Sequence, residues 1–170
     1  LTMKKIISIA VSALCILSAS AQIRIATPDT ELILKADVGG EPQIQYFGER
    51  LSDTDVANLQ AAGVPNHNAY PAYGLWCASE ACLGVTHSDG NMSTVLRIEC
   101  VIQTDEPTAK VTRIKMKDTV YPFYVTLCYR AYQDVDMIET WTEIENQEKK
   151  PVVLTRFDSG YLPVRAGDVW

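Results

Sequence analysis

One stretch constrains the fold more than any other, the run from Tyr121 to Asn146, YPFYVTLCYRAYQDVDMIETWTEIEN. In its first half Phe123, Val125, Leu127, Tyr129 and Ala131 alternate with Tyr124, Thr126, Cys128, Arg130 and Tyr132. Strand side chains point to opposite faces with a period of two, so this pattern predicts a half-buried strand. Gln133-Asp134-Val135-Asp136 breaks the run with turn-forming residues. A second alternation follows, with Ile138, Thr140, Thr142 and Ile144 set against Glu139, Trp141, Glu143 and Glu145. Together they predict an antiparallel hairpin with one dry face and one wet face. The hairpin holds no obvious catalytic group and reads as scaffold.

A chain of 170 residues is the size of one domain. Its net charge of −6, with basic residues scattered along the sequence, argues against nucleic acid, whose binders concentrate Lys and Arg to neutralise phosphates. The N-terminus reads separately. Met3-Lys4-Lys5 is a short positive region, residues 6–17 are apolar, and Ala19-Ser20-Ala21 gives a small-x-small cleavage pattern. The apolar run is too short to span a bilayer, which takes about 20 residues. The expectation is a secretory signal peptide over residues 1–21, an exported mature chain over 22–170, and no membrane partner. The mature chain keeps Cys77, Cys82, Cys100 and Cys128. Export permits disulfides, in any of three pairings, and buried thiols are the other reading. The spacings match no zinc pattern, and His67 and His87 are the available histidines, so neither metal nor cofactor is expected.

From Gln22 the chain is a meander: Ile23–Ile25, Glu31–Lys35 and Gln43–Phe47 read as strands, with Pro and Gly at the corners. Leu51 to Ala62 is the helix candidate, capped by Ser52 and closed by Gly63 and Pro65. Leu83–His87 and Thr94–Ile98 flank Asp89-Gly90 and read as a second hairpin. Further strands are expected over Ala109–Met116 and Val152–Phe157. The predicted fold is mainly β, antiparallel, with one short helix.

Asn66 to Glu80 breaks the strand rhythm with Tyr70, Tyr73 and Trp76. Aromatic loops serve as sugar platforms, lids and interface anchors, and they also simply cover core edges. Tyr70, Tyr73 and Trp76 are the candidate substrate-binding or interface residues. No catalytic residue is assigned: Asp53/Asp55 and Asp134/Asp136 sit where acidic residues serve a helix start and a turn.

Three pieces, YPAYG at 70–74, LGVTHSDGNMSTVLRIE at 83–99 and the run from Lys117 to Pro163, resemble in order and spacing the N-terminal domain of glycoside hydrolase family 36, the α-galactosidases or melibiases. The resemblance implies an antiparallel β-supersandwich followed by a catalytic barrel that holds both carboxylates of a retaining mechanism. No residue here then inherits a catalytic role, and the chain is expected to be inactive alone. The implied partners are the barrel of the parent chain, an α-galactoside bound through that parent, and a homo-oligomer. Where the family's loop often continues Gly-Asp-Phe-Arg, this sequence has Trp76, Cys77, Ala78 and Ser79. The last strand pattern is unfinished at Val169-Trp170, so a domain fragment is expected. The alternatives are a free-standing carbohydrate-binding module and a structural or oligomerisation β-domain.

Overall fold

The computed structural model describes residues 13–16, 22–61, 67–74 and 80–163. Ala21, Trp76, Cys77, Val169 and Trp170 lie outside the described residues. The strands in chain order are β1 (Ala13–Ile16), β2 (Gln22–Ala26), β3 (Thr30–Lys35), β4 (Gln43–Glu49), β5 (His67–Asn68), β6 (Leu83–Thr86), β7 (Leu96–Asp105), β8 (Ala109–Asp118), β9 (Phe123–Tyr132), β10 (Ile138–Asn146) and β11 (Val153–Phe157), with the helix α1 (Asp53–Ala61) between β4 and β5. They form a five-stranded sheet in the order β1-β7-β8-β9-β10, a four-stranded sheet β2-β3-β4-β5, and the pair β11-β6. Every ladder between these strands is antiparallel. The mainly β reading holds. Ala13–Ile16, inside the stretch read as a leader, pairs along the outer edge of β7.

The period-two alternation translates directly into burial. In the β9–β10 hairpin Val125 faces Ile144, Leu127 faces Thr142 and Tyr129 faces Thr140. Phe123, Val125, Leu127 and Ala131 are all within 2 % of complete burial. Across the sandwich they meet Ile23, Ile25, Leu32, Leu34 and Ile44 of the four-stranded sheet in one apolar cluster, joined by Ile114 and Met116 of β8. Burying a side chain of this size removes enough apolar surface to stabilise by about 1.5–3 kcal/mol. β3 is dry on both sides. Leu32 and Leu34 enter the cluster, while alternation turns Glu31 and Ile33, both 0 % exposed, to the opposite face.

That opposite face is where α1 is tied. Arg24 of β2 grips buried Glu31 through Nε and, at 3.0 Å, through Nη2, and reaches forward to Asp53 at 2.6 Å and to the Leu51 carbonyl at 2.9 Å. Removing a carboxylate from water is costly unless it is paired and hydrogen-bonded, and Glu31 gains both, with the Leu51 N–H as a third donor at 3.2 Å. The helix begins as its sequence predicts: Ser52 Oγ accepts from the Asp55 N–H at 3.2 Å, and Asp53 and Asp55 occupy the first turn.

One local expectation is corrected. The turn at Ser88-Asp89-Gly90-Asn91 exists, with Gly90 at φ +90 and the His87 N–H donating to the Asn91 carbonyl at 2.8 Å. The strands flanking it do not pair with each other: β6 pairs with β11 and β7 with β8. The Tyr73 carbonyl accepts from the Thr94 N–H and the Leu83 carbonyl from the Tyr73 N–H, both at 2.9 Å. The segment at Tyr73 thus lies between the two limbs and sends them to different sheets.

The contrast between two phenylalanines tests this architecture. Phe123 is fully buried and Phe157 is 61 % exposed. Phe123→Ala is expected to cost about 3–5 kcal/mol in urea unfolding, and Phe157→Ala about 0.5 kcal/mol or less in the isolated chain.

Candidate functional site

The aromatic segment divides. Tyr70 is 2 % exposed, donates its N–H to Asn68 Oδ1 at 2.8 Å, and donates its hydroxyl to the Asp158 carbonyl at 2.9 Å. Burial pushes its phenol up to about 12. Tyr73 lies three residues on and is 55 % exposed. Gly74 makes the change of direction possible. Its φ is +114, and a Cβ there would lie 2.8 Å from both Ser93 Cα and Thr94 N. Only a residue without a side chain fits both the left-handed backbone and that approach. The structure therefore places Tyr70 in the core and Tyr73 at the surface, with Trp76 beyond the described residues.

Away from this segment the sandwich is open. A cleft of about 580 Å³ separates the β3–β4 side from the start of β10, with the irregular segment 159–162 after β11 also lining it. Leu32, Tyr129 and Ile138 form its floor, and Phe47, Tyr161 and Leu162 its lips. Phe47 is 49 % exposed and Leu162 43 %. This segment runs close to β10: the Ser159 carbonyl accepts from Thr142 Oγ1 at 3.2 Å, and a Cβ on Gly160 would lie 2.9 Å from Thr140 Oγ1. Next to it β11 is exposed at all five positions, Val153, Leu154 and Phe157 included, although its partner β6 is largely buried. An edge strand carrying apolar side chains and open backbone groups is a template for further polypeptide.

Carboxylates close both ends of the β9–β10 hairpin. At one end Asp136 accepts from the Thr27 hydroxyl, from the Thr30 N–H at 3.0 Å and from Thr30 Oγ1 at 2.8 Å, so its carboxyl stays below the ordinary carboxylate range. At the other end Glu148 accepts from His87 Nδ1 at 2.7 Å and from the Ser88 N–H at 3.1 Å. Burial pushes the Glu148 carboxyl up, and the bonds from His87 and Ser88 outweigh it, leaving the carboxyl below its ordinary value. The His87 side chain is 0 % exposed, stacks on Tyr121 at 3.8 Å and meets Phe123 edge-on at 5.8 Å. Its Nε2 lies 3.1 Å from Thr94 Oγ1, a hydroxyl able to donate or accept as the imidazole requires. These ionisable groups are engaged in holding loops to one another. Sequence reasoning missed them, because the His87–Glu148 pair joins residues 61 apart with no local motif. Among the described residues no group of three or more His, Cys, Asp or Glu is placed to hold a metal. Cys128 is a free, buried thiol, pushed up to about 12 by burial and by Glu143. The arrangement presents apolar and aromatic surface for packing, at the cleft lips and along β11.

Residues 40–170 match the glycosyl hydrolase family 36 N-terminal domain. Solved structures with the same fold include the α-galactosidase AgaA from Geobacillus stearothermophilus, at 20% identity and TM-score 0.70 over 82% of this chain and 24% of that one. The α-galactosidase from Lactobacillus brevis, at 17% identity and TM-score 0.71, is matched over 85% of this chain and 24% of its own. AgaB from Geobacillus stearothermophilus, at 20% identity and TM-score 0.68, is matched over 82% and 23%. The chain thus spans about a quarter of the length of these relatives. A search of curated protein sequences finds no match.

Two substitutions check the geometry. Gly74→Ala is expected to destabilise by about 1–3 kcal/mol, through left-handed strain and the contact with Ser93. The Glu148 carboxyl is lower in the folded than in the unfolded chain, so its contribution is complete above the unfolded carboxylate value of about 4.3 and is lost as pH falls through the folded value. The melting temperature of the unaltered chain is therefore expected to fall more steeply between about pH 5 and pH 3 than that of Glu148→Gln.

Proposed function

The chain belongs to the glycosyl hydrolase family 36 N-terminal domain family, and we propose that it is the non-catalytic N-terminal β-domain of an exported α-galactosidase-like hydrolase, serving α-galactosides through the rest of its parent chain. The observation that carries this reading is the match over residues 40–170 to a domain that, in the solved α-galactosidases, accounts for about a quarter of the chain. Retaining hydrolysis needs two carboxyl groups about 5–5.5 Å apart on either side of the scissile bond. Three of the four acidic residues considered above do other work: Asp53 binds Arg24, Asp55 binds Ser52, and Asp136 binds the turn before β3. Chemistry then belongs to a catalytic barrel in the parent. The exposed apolar side of β11 and the lips of the cleft give that continuing polypeptide a surface to pack on. Tyr73, which is exposed, and Trp76 are the residues proposed to face the barrel or a neighbouring subunit.

Export follows from the leader reading of residues 1–21. Cleavage after Ala21 strips β1 from β7 and leaves the Val101–Thr104 edge free in the mature protein. A second reading, sugar binding by the domain itself, draws on Phe47 and Tyr161 at the mouth of the cleft.

The activity test compares the purified chain with the parent enzyme on an aryl α-galactoside. The parent turns over and the chain alone does not; turnover by the chain, lost on changing Asp134 or Asp136, overturns the proposal. Tyr73→Ala is expected to change the stability of the chain by about 0.5 kcal/mol or less. Tyr73→Ala and Trp76→Ala are both expected to raise KM or disturb assembly in the parent. Mass spectrometry of the exported protein is expected to find Gln22 as its first residue. Binding of the isolated chain to a glycan array at micromolar concentration would instead favour the second reading.

A further inference from the structure

The hydroxyls of Tyr46, Tyr70, Tyr121 and Tyr132 each donate to a protein oxygen, at 2.7, 2.9, 2.8 and 3.2 Å. Tyr129 does not follow them. It is 6 % exposed, yet among the described residues its hydroxyl has no hydrogen-bond partner. A hydroxyl taken out of water without a bond is costly, and one found so inside a native fold calls for a reason. Burial also pushes the Tyr129 phenol up, so it stays a neutral O–H able to donate one bond and to accept others.

The reason lies in the cleft. The Tyr129 ring belongs to the apolar cluster, and the part of the residue left uncovered lines the cleft floor. The volume of about 580 Å³ lies within the range of about 300–1,000 Å³ usual for small-molecule sites. Leu32 and Ile138 flank Tyr129 on the floor, and the rings of Phe47 and Tyr161 stand at the lips. The other polar groups of the lining are accounted for. Asp136 accepts from Thr27 and Thr30, which spends its oxygens on the fold. Thr140 and Ser159 are exposed and reach water. Tyr129 is left as the unbonded polar group on an otherwise apolar floor.

These groups select the ligand. A charged molecule would leave water for a floor without a free counter-ion, since Asp136 is held by Thr27 and Thr30. A pyranose stacked at the mouth keeps its hydroxyls in water, whereas on the floor they would lie against Leu32 and Ile138 without partners. A flat aromatic ring sets apolar faces against Leu32 and Ile138 and packs offset or edge-on against Phe47 and Tyr161. One hydroxyl or carbonyl on its edge then completes the bond that Tyr129 lacks. We propose that the cleft is a binding site for a small, uncharged aromatic ligand carrying one hydroxyl or carbonyl group, which hydrogen-bonds to the Tyr129 hydroxyl. The site is distinct from sugar stacking at the mouth and independent of the chemistry assigned to the parent.

Titration of the full chain with para-cresol, followed by nuclear magnetic resonance, tests it, with toluene, benzoate and galactose as comparisons. Para-cresol is expected to shift the methyl signals of Leu32 and Ile138 and to bind roughly tenfold more tightly than toluene, the worth of about one hydrogen bond. Benzoate and galactose are expected to leave those signals in place. Tyr129→Phe keeps the ring and removes the hydroxyl, so it is expected to abolish the preference for para-cresol over toluene without lowering the melting temperature. Equal binding of para-cresol and toluene by the unaltered chain overturns the proposal. So does a melting temperature that falls in Tyr129→Phe, since the hydroxyl would then already have a partner. Galactose or benzoate shifting the floor signals in place of para-cresol overturns it in favour of a sugar or a charged ligand. If Tyr129→Phe fails to fold, the comparison of para-cresol with toluene on the unaltered chain decides. Binding of none of the probes overturns the proposal and leaves the cleft to the packing of further polypeptide.

Discussion

The apolar contact between the inner faces of the two larger sheets is the interaction on which the rest of this structure depends. Phe123, Val125, Leu127 and Ala131 project from β9, the strand paired on one side with β8 and on the other with β10. Their backbone is therefore bonded along both edges while their side chains leave water. Opposite them, β3 contributes Leu32 and Leu34 and is itself paired on both edges. Each sheet alone would expose one apolar face; packed together they hide both. Asp136 and Glu148 then fix the ends of the β9–β10 hairpin, the first to the turn before β3 and the second to the loop after β6.

Polar groups inside this framework follow one rule. Every buried charge discussed here sits where it ties one part of the fold to another: Glu31 links β3 through Arg24 to the start of α1, and Glu148 links the turn after β10 to His87 and Ser88. Their desolvation is offset by bonds that a simple apolar core could not supply with the same direction. Glu148 also gives the acid side of the stability profile part of its slope, since its carboxylate must stay ionised for its bonds to last.

The surfaces left over divide by chemistry. The lips of the cleft and the exposed Val153, Leu154 and Phe157 of β11 are apolar. The outer face of the large sheet is charged, with aromatic side chains among the charges. The chain belongs to a family of N-terminal domains.

Much of the fold could be read from local pattern. The strands of the β9–β10 hairpin, their dry and wet faces, the Ser52 cap and the helix after it were all legible, because period-two alternation and capping chemistry act between neighbours in the chain. The Asp-Gly turn was legible too, but not that β6 turns away from β7 to pair with β11. Leu83 and Phe157 are far apart in sequence, and only the wedge at Tyr73 and Gly74 decides which edge each strand meets. Tyr70 and Tyr73 look alike in the sequence, yet one hydroxyl lies in the core against Asp158 and the other residue faces outward. Tyr129 was legible as an inward-facing strand residue, but that it lines an open cleft depends on how β3, β10 and the segment after β11 come together around it. The sequence by itself determined which residues seek water and which avoid it. The tertiary structure alone decided which of them meet, because strand pairing and register are set by contacts across the whole core.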